Sequence, residues 1–433
     1  MRDSIIVIGA GIAGLAAASK LRDAGKKVLV LEASNRPGGR MVRLTRNGDS
    51  VEAGAQGIHT NYTETLKLVE QYGLESEIVH QTAEQVCYLN KAGRPEYPVG
   101  QAGMLKLLGF RGSFDLARFL IKDLALGKKF SLFDIDLDIP AYDNTSIEKA
   151  YSWAGDNFKN LVLRPSAHAM VGSDLAHTNL YHFLNLMKLV LSTKVMTLKN
   201  GLSSLPEAIA AKLDVRYDAP VKQLIYEGNK VAGVELVSGE RICSNQVIVA
   251  TPIGAAANIL PDELVPAKKF LSEFPNIPLS LVFFYLDRHL TNDAYIYFGH
   301  AARETTFNMA VDHTAKTPHL IPSGKTIISA WPCYPDSRTI AGMPDEQVIA
   351  KALNDMEKFF PSVAGMVEHA CVQRHPWGLA RLSPGQHAKI IEFKRQANSL
   401  PGLSFANSDY EGVHMESGVR SGLKAAERVI RGS

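Results

Sequence analysis

Three glycines spaced Gly9-x-Gly11-x-x-Gly14 follow the apolar run Ile5-Ile6-Val7-Ile8 and open the alanine-rich stretch Ala16-Ala17-Ala18. Each glycine in such a pattern has its own task. The first permits a tight turn, the second lets backbone approach a pyrophosphate, and the third lets a helix pack closely on a strand. The helix N-terminus then offers free N–H donors and a partial positive charge to phosphate. Glu32 stands 18 residues beyond Gly14, at the end of a second strand read from Lys27 to Leu31. A carboxylate at this point is suited to ribose hydroxyls and disfavours a 2′-phosphate. Strand, glycine turn, helix, strand and acid in this order predict an adenine dinucleotide site. The glycine motif alone does not separate NAD from FAD.

The elements around this motif give the separation. After Glu32 and Ala33 comes Arg36-Pro37-Gly38-Gly39-Arg40, then an Asn47-Gly48 turn and Val51-Glu52-Ala53-Gly54-Ala55. Two arginines suit phosphate, and paired glycines let the backbone pass close to a flat ring. Near the other end, Leu403-Ser404-Phe405-Ala406-Asn407-Ser408-Asp409-Tyr410-Glu411-Gly412-Val413-His414-Met415-Glu416 leads into a terminal helix carrying Ser421-Gly422 and Ala425-Ala426. Together these segments resemble the flavin-containing amine oxidase superfamily, which includes protoporphyrinogen oxidases, carotenoid (phytoene) desaturases and monoamine and polyamine oxidases. The resemblance covers about the first 80 residues, 200–252 and 377–430.

The resemblance implies an α/β fold: a Rossmann-like FAD-binding domain of the GR2 type, interleaved with an α+β substrate-binding domain. Residues 1–80, 200–260 and 375–433 are assigned to the first, and 81–199 and 261–374 to the second. It implies FAD held by Gly9, Gly11, Gly14, Glu32, Ala33, Gly38, Gly39, Arg40, Gly54 and Ala55, with the Val221 backbone facing adenine. Asp409 would hold the ribityl or pyrophosphate portion. Met415 would open a helix whose N-terminus stabilises negative charge on the reduced ring. Family members with covalently attached flavin use a cysteine upstream of the Met-Glu pair. Here His375-Pro376-Trp377 occupies that neighbourhood and Cys371 is out of register, so noncovalent FAD is expected.

Two departures bear on the substrate. Many amine oxidases place a lysine near flavin N5 on a strand that corresponds here to Pro278–Tyr285, which has none. They also flank the amine with aromatic rings, and His414 stands in one of those positions. An apolar carbocyclic, isoprenoid or porphyrin-like substrate fits better, with oxygen or another molecule as electron acceptor. His414 is the candidate base or hydrogen-bond donor. Tyr410 and Trp377 are candidate pocket walls, with core packing as the competing reading. His59, in Gly57-Ile58-His59, is similar to polyamine oxidases and keeps oxidative deamination open. Reduction of the flavin by NAD(P)H in a reductase or isomerase, and a non-catalytic FAD-binding role, stay as further alternatives.

Composition narrows the partners. The 433 residues allow two or three domains, and 46% hydrophobic with 21% charged content describes an ordinary globular chain. A net charge of +3 gives no general attraction to nucleic acid. Four scattered cysteines without a C-x-x-C pair argue against a disulfide framework or a zinc site and fit a reducing cytoplasm. Dispersed His168, His177 and His182 do not have metal spacing, so no metal is expected. The run at Ile5 lacks a signal peptide's flanks, and no stretch is long enough to span a bilayer. The sequence carries no signal for oligomeric state.

Between the motifs, Tyr62–Tyr72 has helical spacing with Gly73 as its stop, and 145–196 also reads as helical. Residues 101–132 mix apolar side chains with Lys106, Arg111, Arg118, Lys122, Lys128 and Lys129. Such a segment is expected to be a solvated helix of the substrate domain, with peripheral contact to an anionic membrane as the alternative. Ser204 and Glu207 are spaced for a capping box on a helix reaching Leu213.

Overall fold

The computed structural model describes residues 4–125, 133, 140–191, 193–228, 230–290, 294–301 and 305–432. The first strand, β1 (Ile5–Ile8), is buried at all four positions, as a strand covered on both faces must be. It turns at Gly9 (φ +104°) into α1 (Ile12–Asp23) and returns as β2 (Val28–Leu31). An added Cβ at Gly14 would lie 2.0 Å from the Gly9 carbonyl oxygen, so only glycine lets α1 sit this close to the turn. A hairpin, β3 (Arg43–Arg46) and β4 (Asp49–Glu52), precedes α2 (Thr63–Gln71).

A helical block follows. Its first helix, α3 (Gly100–Phe119), is broken at Gly109 (φ +66°) and continues through a wider turn to Ala125; its last, α4 (Leu180–Leu191), is buried along most of its length. The part of the basic segment from 126 to 132 lies outside the described residues. The stretch read as helical to 196 ends earlier, because Val195–Leu198 pairs as a strand with Ile58–His59 and Ile78–His80.

The chain then returns as β5 (Val215–Arg216) and β6 (Val247–Val249). It leaves again through β7 (Asn276–Leu286), the short helix α5 (His313–Lys316), β8 (Ile327–Pro332) and β9 (Val367–Ala380). It closes with β10 (Leu403–Phe405) and α6 (Met415–Arg431).

Two sheets organise these pieces. One is parallel, in the order β5-β2-β1-β6-β10. From β1 the chain moves outward on one side to β2 and on the other to β6, and this reversal opens a crevice at the strands' carboxyl ends. The other has seven strands, beginning β9-β7-β8 and ending in the hairpin strands Val86–Leu89 and Pro95–Glu96. Strand β9 stays paired with β7 as far as Ala380, so the changeover between sheets falls after 380 rather than at 375. The expected capping box does not form: Ser203 is the cap residue, the Ser204 hydroxyl is buried without a partner among the described residues, and the helix ends at Ala210. No helix among the described residues is long and apolar enough to cross a membrane.

The two ends of the chain meet through α1 and α6. An added Cβ on Gly422 would lie 2.1 Å from the Ala13 carbonyl oxygen, so the helices touch backbone to backbone. This contact brings the glycine turn and the C-terminal motif to one crevice.

Candidate active site

A cavity of about 710 Å³ runs from the crevice of the parallel sheet to the helical block and the β7-β8-β9 face. Its dinucleotide end is lined by Gly9, Gly11, Glu32, Ala33, Ala219 and Val221. Glu32 is fixed by local backbone: Oε2 accepts from Ala10 N (2.7 Å), and Oε1 accepts from Ser34 N (2.9 Å) and Ser34 Oγ (2.7 Å). The Ala219 amide donates to the Glu32 carbonyl (2.9 Å), which sets Val221 beside the acid. Gly38 N donates to the Ala10 carbonyl (2.8 Å), laying the paired-glycine loop against the first turn of α1. Helix α1 has Gly11 as its N-cap and no side-chain cap, so its first N–H groups stay available to an anion.

Arg40 joins both ends of the chain. Its Nη1 donates to Asp409 Oδ1 (2.8 Å) and the Gly378 carbonyl (3.1 Å), and its Nη2 donates to Asn407 Oδ1 (2.9 Å) and Ser408 Oγ (2.8 Å). The Arg40 carbonyl accepts from Ala55 N (3.0 Å), and an added Cβ on Gly54 would reach within 1.9 Å of it. Asp409 is therefore committed to Arg40 and does not line the cavity. Asn407 and Ser408 line it instead, so Asp409, expected to hold the cofactor itself, faces Arg40 rather than the cavity. Arg36 braces its own loop through the carbonyls of Pro37 (3.1 Å) and Gly39 (3.0 Å).

The other end of the cavity is aromatic and apolar. Met170, Leu186, Leu189 and Val190 come from the helical block, Leu279 and Leu281 from β7, and Trp331 from β8. Tyr62, missed in the sequence because it reads as the edge of a helix, lies between His59 and His414 with ring centroids 5.1 and 5.5 Å away. Glu416 holds this arrangement without facing the cavity. Its carboxylate accepts from the amides of Glu64 (2.9 Å) and Thr65 (2.8 Å) and from Arg420 Nε (2.8 Å), capping the helix that Tyr62 precedes.

His414 is the N-cap of α6: its Nδ1 accepts from Ser417 N (3.1 Å). Met415 opens the helix at the cavity wall. Burial pulls the His414 pKa down to about 3, with nearby His59 and Arg420 adding to the effect. Burial thus keeps the ring neutral near pH 7, with Nδ1 already occupied by the Ser417 amide. His59 is also lowered by burial, to about 4. Its Nδ1 lies 2.8 Å from Thr193 Oγ1, whose proton goes to the Leu189 carbonyl (2.8 Å). Nδ1 is therefore the protonated nitrogen, and Nε2 carries the lone pair.

Two expected wall residues lie elsewhere. The register Ile277↔Leu379 and Leu279↔His375 leaves three residues of β9 opposite Pro278, a bulge that breaks the two-residue alternation. His375 and Leu379 line the cavity, whereas Trp377 packs over Gly254 and is 36% exposed. Tyr410 is buried in the core with its ring centroid 5.2 Å from that of Phe393. Cys371 pairs with Phe283 in the sheet, and no cysteine lines the cavity among the described residues. No cluster of potential metal ligands occurs among them either.

Turn, acid, paired-glycine loop and two helix N-termini along one elongated cavity fit an extended flavin dinucleotide. The sequence pattern of the flavin containing amine oxidoreductase family matches residues 12–430. The chain is 22% identical to coproporphyrinogen III oxidase of Staphylococcus aureus (strain NCTC 8325 / PS 47), over 99% of both chains. It is 28% identical to putrescine oxidase of Kocuria rosea, over 57% of this chain and 56% of that one. Among solved structures, a triple mutant of putrescine oxidase superposes with a TM-score of 0.81 at 18% identity, covering 100% and 99% of the two chains. Cyclohexylamine oxidase from Brevibacterium oxydans IH-35A gives 0.79 at 18% identity, also over 100% and 99%. The chain belongs to the flavin-containing amine oxidoreductase family and is an FAD-dependent oxidoreductase.

Proposed function

We propose that this enzyme dehydrogenates an apolar, carbocyclic, isoprenoid or porphyrin-like substrate at a C–H bond. The observation that carries this reading is the wall of the chamber beyond the dinucleotide end. Met170, Leu186, Leu189, Val190, Leu279 and Leu281 are all apolar, and the charged side chains among the described lining residues, Glu32 and Arg40, serve the dinucleotide half. No carboxylate stands in the chamber to receive a cationic substrate.

Bound FAD supplies the two-electron acceptor, which passes its electrons to oxygen or another oxidant. The chain's own residues supply the rest. The apolar walls exclude water and orient the C–H bond. The N-terminus of α6 at Met415 favours negative charge as it develops. The His59 Nε2 lone pair receives a hydrogen bond from a polar substituent of the substrate. Dehydrogenation also releases a proton, which the His59 Nε2 lone pair accepts or relays to water, so no strongly basic side chain is required. The full-length similarity to coproporphyrinogen III oxidases supports this reading.

Amine oxidation is the second reading, favoured by the aromatic rings of Tyr62 and Trp331 at the same end. Oxygen uptake or dye reduction by the FAD-loaded enzyme separates the two. Saturated cyclic, isoprenoid and porphyrinogen compounds are expected to be turned over, and primary and secondary amines are not. Turnover of amines alone overturns the assignment.

The second face of the proposal concerns α3. Phe110, Phe114 and Ile121 are 92%, 59% and 64% exposed beside Lys106 and Lys122. Apolar side chains flanked by cations match an anionic lipid surface. Co-sedimentation with phosphatidylserine vesicles is expected, and its loss in Phe110→Glu checks the contact. Equal sedimentation of both proteins overturns it.

A further inference from the structure

Close to the cavity, but not lining it, lies a lysine with an unusual set of partners. Lys316 on α5 is 7% exposed. Its Nζ donates to the Gln56 carbonyl (2.9 Å) and to Gln56 Oε1 (2.6 Å), and no salt bridge joins it to a carboxylate among the described residues. Gln56 Nε2 donates in turn to the carbonyls of Glu52 (3.1 Å) and Gly54 (3.0 Å). One buried ammonium thus fixes the loop from Glu52 to Gly57, whose residues from Gly54 onward line the cavity and run directly into His59. The same short helix braces a second wall. His313 Nε2 lies 2.8 Å from Ser329 Oγ, which accepts from Trp331 Nε1 (2.7 Å).

Burying an ammonium whose hydrogen bonds all go to neutral oxygens costs folding free energy. An uncharged side chain could tie down the loop without that cost. What only the lysine brings is a positive charge behind the Gly54–Gly57 segment, which lines the cavity next to His59 and away from Glu32 at the dinucleotide end. We propose that Lys316 is a positioning residue for the flavin: through Gln56 it sets the 54–57 loop, and its charge stabilises the negative charge of reduced FAD, raising the reduction potential. The inference rests on bound FAD and not on the choice of substrate.

The charged surroundings set the pH dependence. Glu52 on β4 faces Lys316, with Arg43 on β3 and Glu207 on the 204–210 helix near that carboxylate. His313 on α5 itself is buried and held well below its usual value. Burial raises Glu52 to about 7, and burial lowers Lys316 to about 8 against the opposing pull of Glu52. As pH rises, loss of the Glu52 proton and then of the Lys316 proton takes the pair from net positive through neutral to negative. The stabilisation of reduced flavin therefore declines through this window, with the last step belonging to the lysine. Arginine in its place stays charged throughout.

The test is the midpoint potential of the bound flavin, measured against reference dyes without substrate from pH 6 to 9. K316M and K316Q are expected to lower it at pH 7 by about 30 mV, tenfold in the two-electron equilibrium. K316R keeps the potential and removes the extra decline above pH 8. An unchanged potential in K316Q, which retains an amide donor without charge, overturns the proposal. If the neutral variants do not retain FAD, the comparison of wild type with K316R decides: parallel profiles from pH 7 to 9 overturn it. Substrate plays no part, so failure here leaves the proposed reaction intact and separately testable.

Discussion

Glu32 is held in place by three donors from Ala10 and Ser34 that occupy both carboxylate oxygens. An acid fixed in this way gains ribose contacts with little further ordering. Glu32→Ala is expected to weaken FAD retention about tenfold, as loss of charged hydrogen bonds of ~1.5 kcal/mol would do; equilibrium dialysis with flavin absorbance checks it. The histidines make a different prediction. His59 and His414 have folded pKa values of about 4 and 3, below the usual 6.5. A lowered histidine contributes stability above its unfolded pKa and loses it as pH falls towards the folded value. Thermal stability is therefore expected to drop from pH 6.5 towards 4. His414→Asn keeps an N-cap acceptor, removes one titrating ring and should make the drop shallower; melting curves across that range measure it. At this scale the sequence was legible where local geometry dictated residue type, as at Gly9, Gly14 and Glu32. It was not legible at Trp377 and Asp409, because a bulge and a tertiary ion pair set their directions; at Tyr410 core packing, one of the two readings the sequence offered, is the one found.

Helices α1 and α6 decide whether the two motifs share a site. Their glycine contact leaves no room for a methyl group at Gly422. Gly422→Ala must push α6 from α1, with a stability loss of roughly 1–3 kcal/mol and weaker flavin binding, since Met415 opens that helix and the Asn407 amide donates to Ser421 Oγ on it (3.0 Å). Calorimetry beside flavin occupancy checks this, and intact occupancy would show that the crevice tolerates the shift. The βαβ unit and the terminal helix were readable from periodicity and glycine placement. The capping box was not, although its residue types were right. The backbone there starts one residue earlier, at Ser203, and the glutamate and serine do not exchange bonds. Spacing names candidates for a cap, and the entry angle of the chain selects among them.

Across the whole molecule, three separated segments build the parallel sheet and the intervening ones build the chamber. Met170, Leu186, Leu281 and Trp331 are far apart in sequence and carry no shared pattern, so only folding shows that they form one wall. The parallel sheet draws its strands from separated segments, along a sequence in which the flavin-type motifs stop and resume. The chemical consequence is a charged dinucleotide half joined to an apolar substrate half. The most direct measurement of that consequence is anaerobic bleaching of the flavin's visible band, which reports electron arrival whatever the later acceptor. Bleaching by a saturated cyclic, isoprenoid or porphyrinogen compound, with none by putrescine or cyclohexylamine, is the predicted result. Bleaching by the amines and by none of the apolar compounds would contradict it.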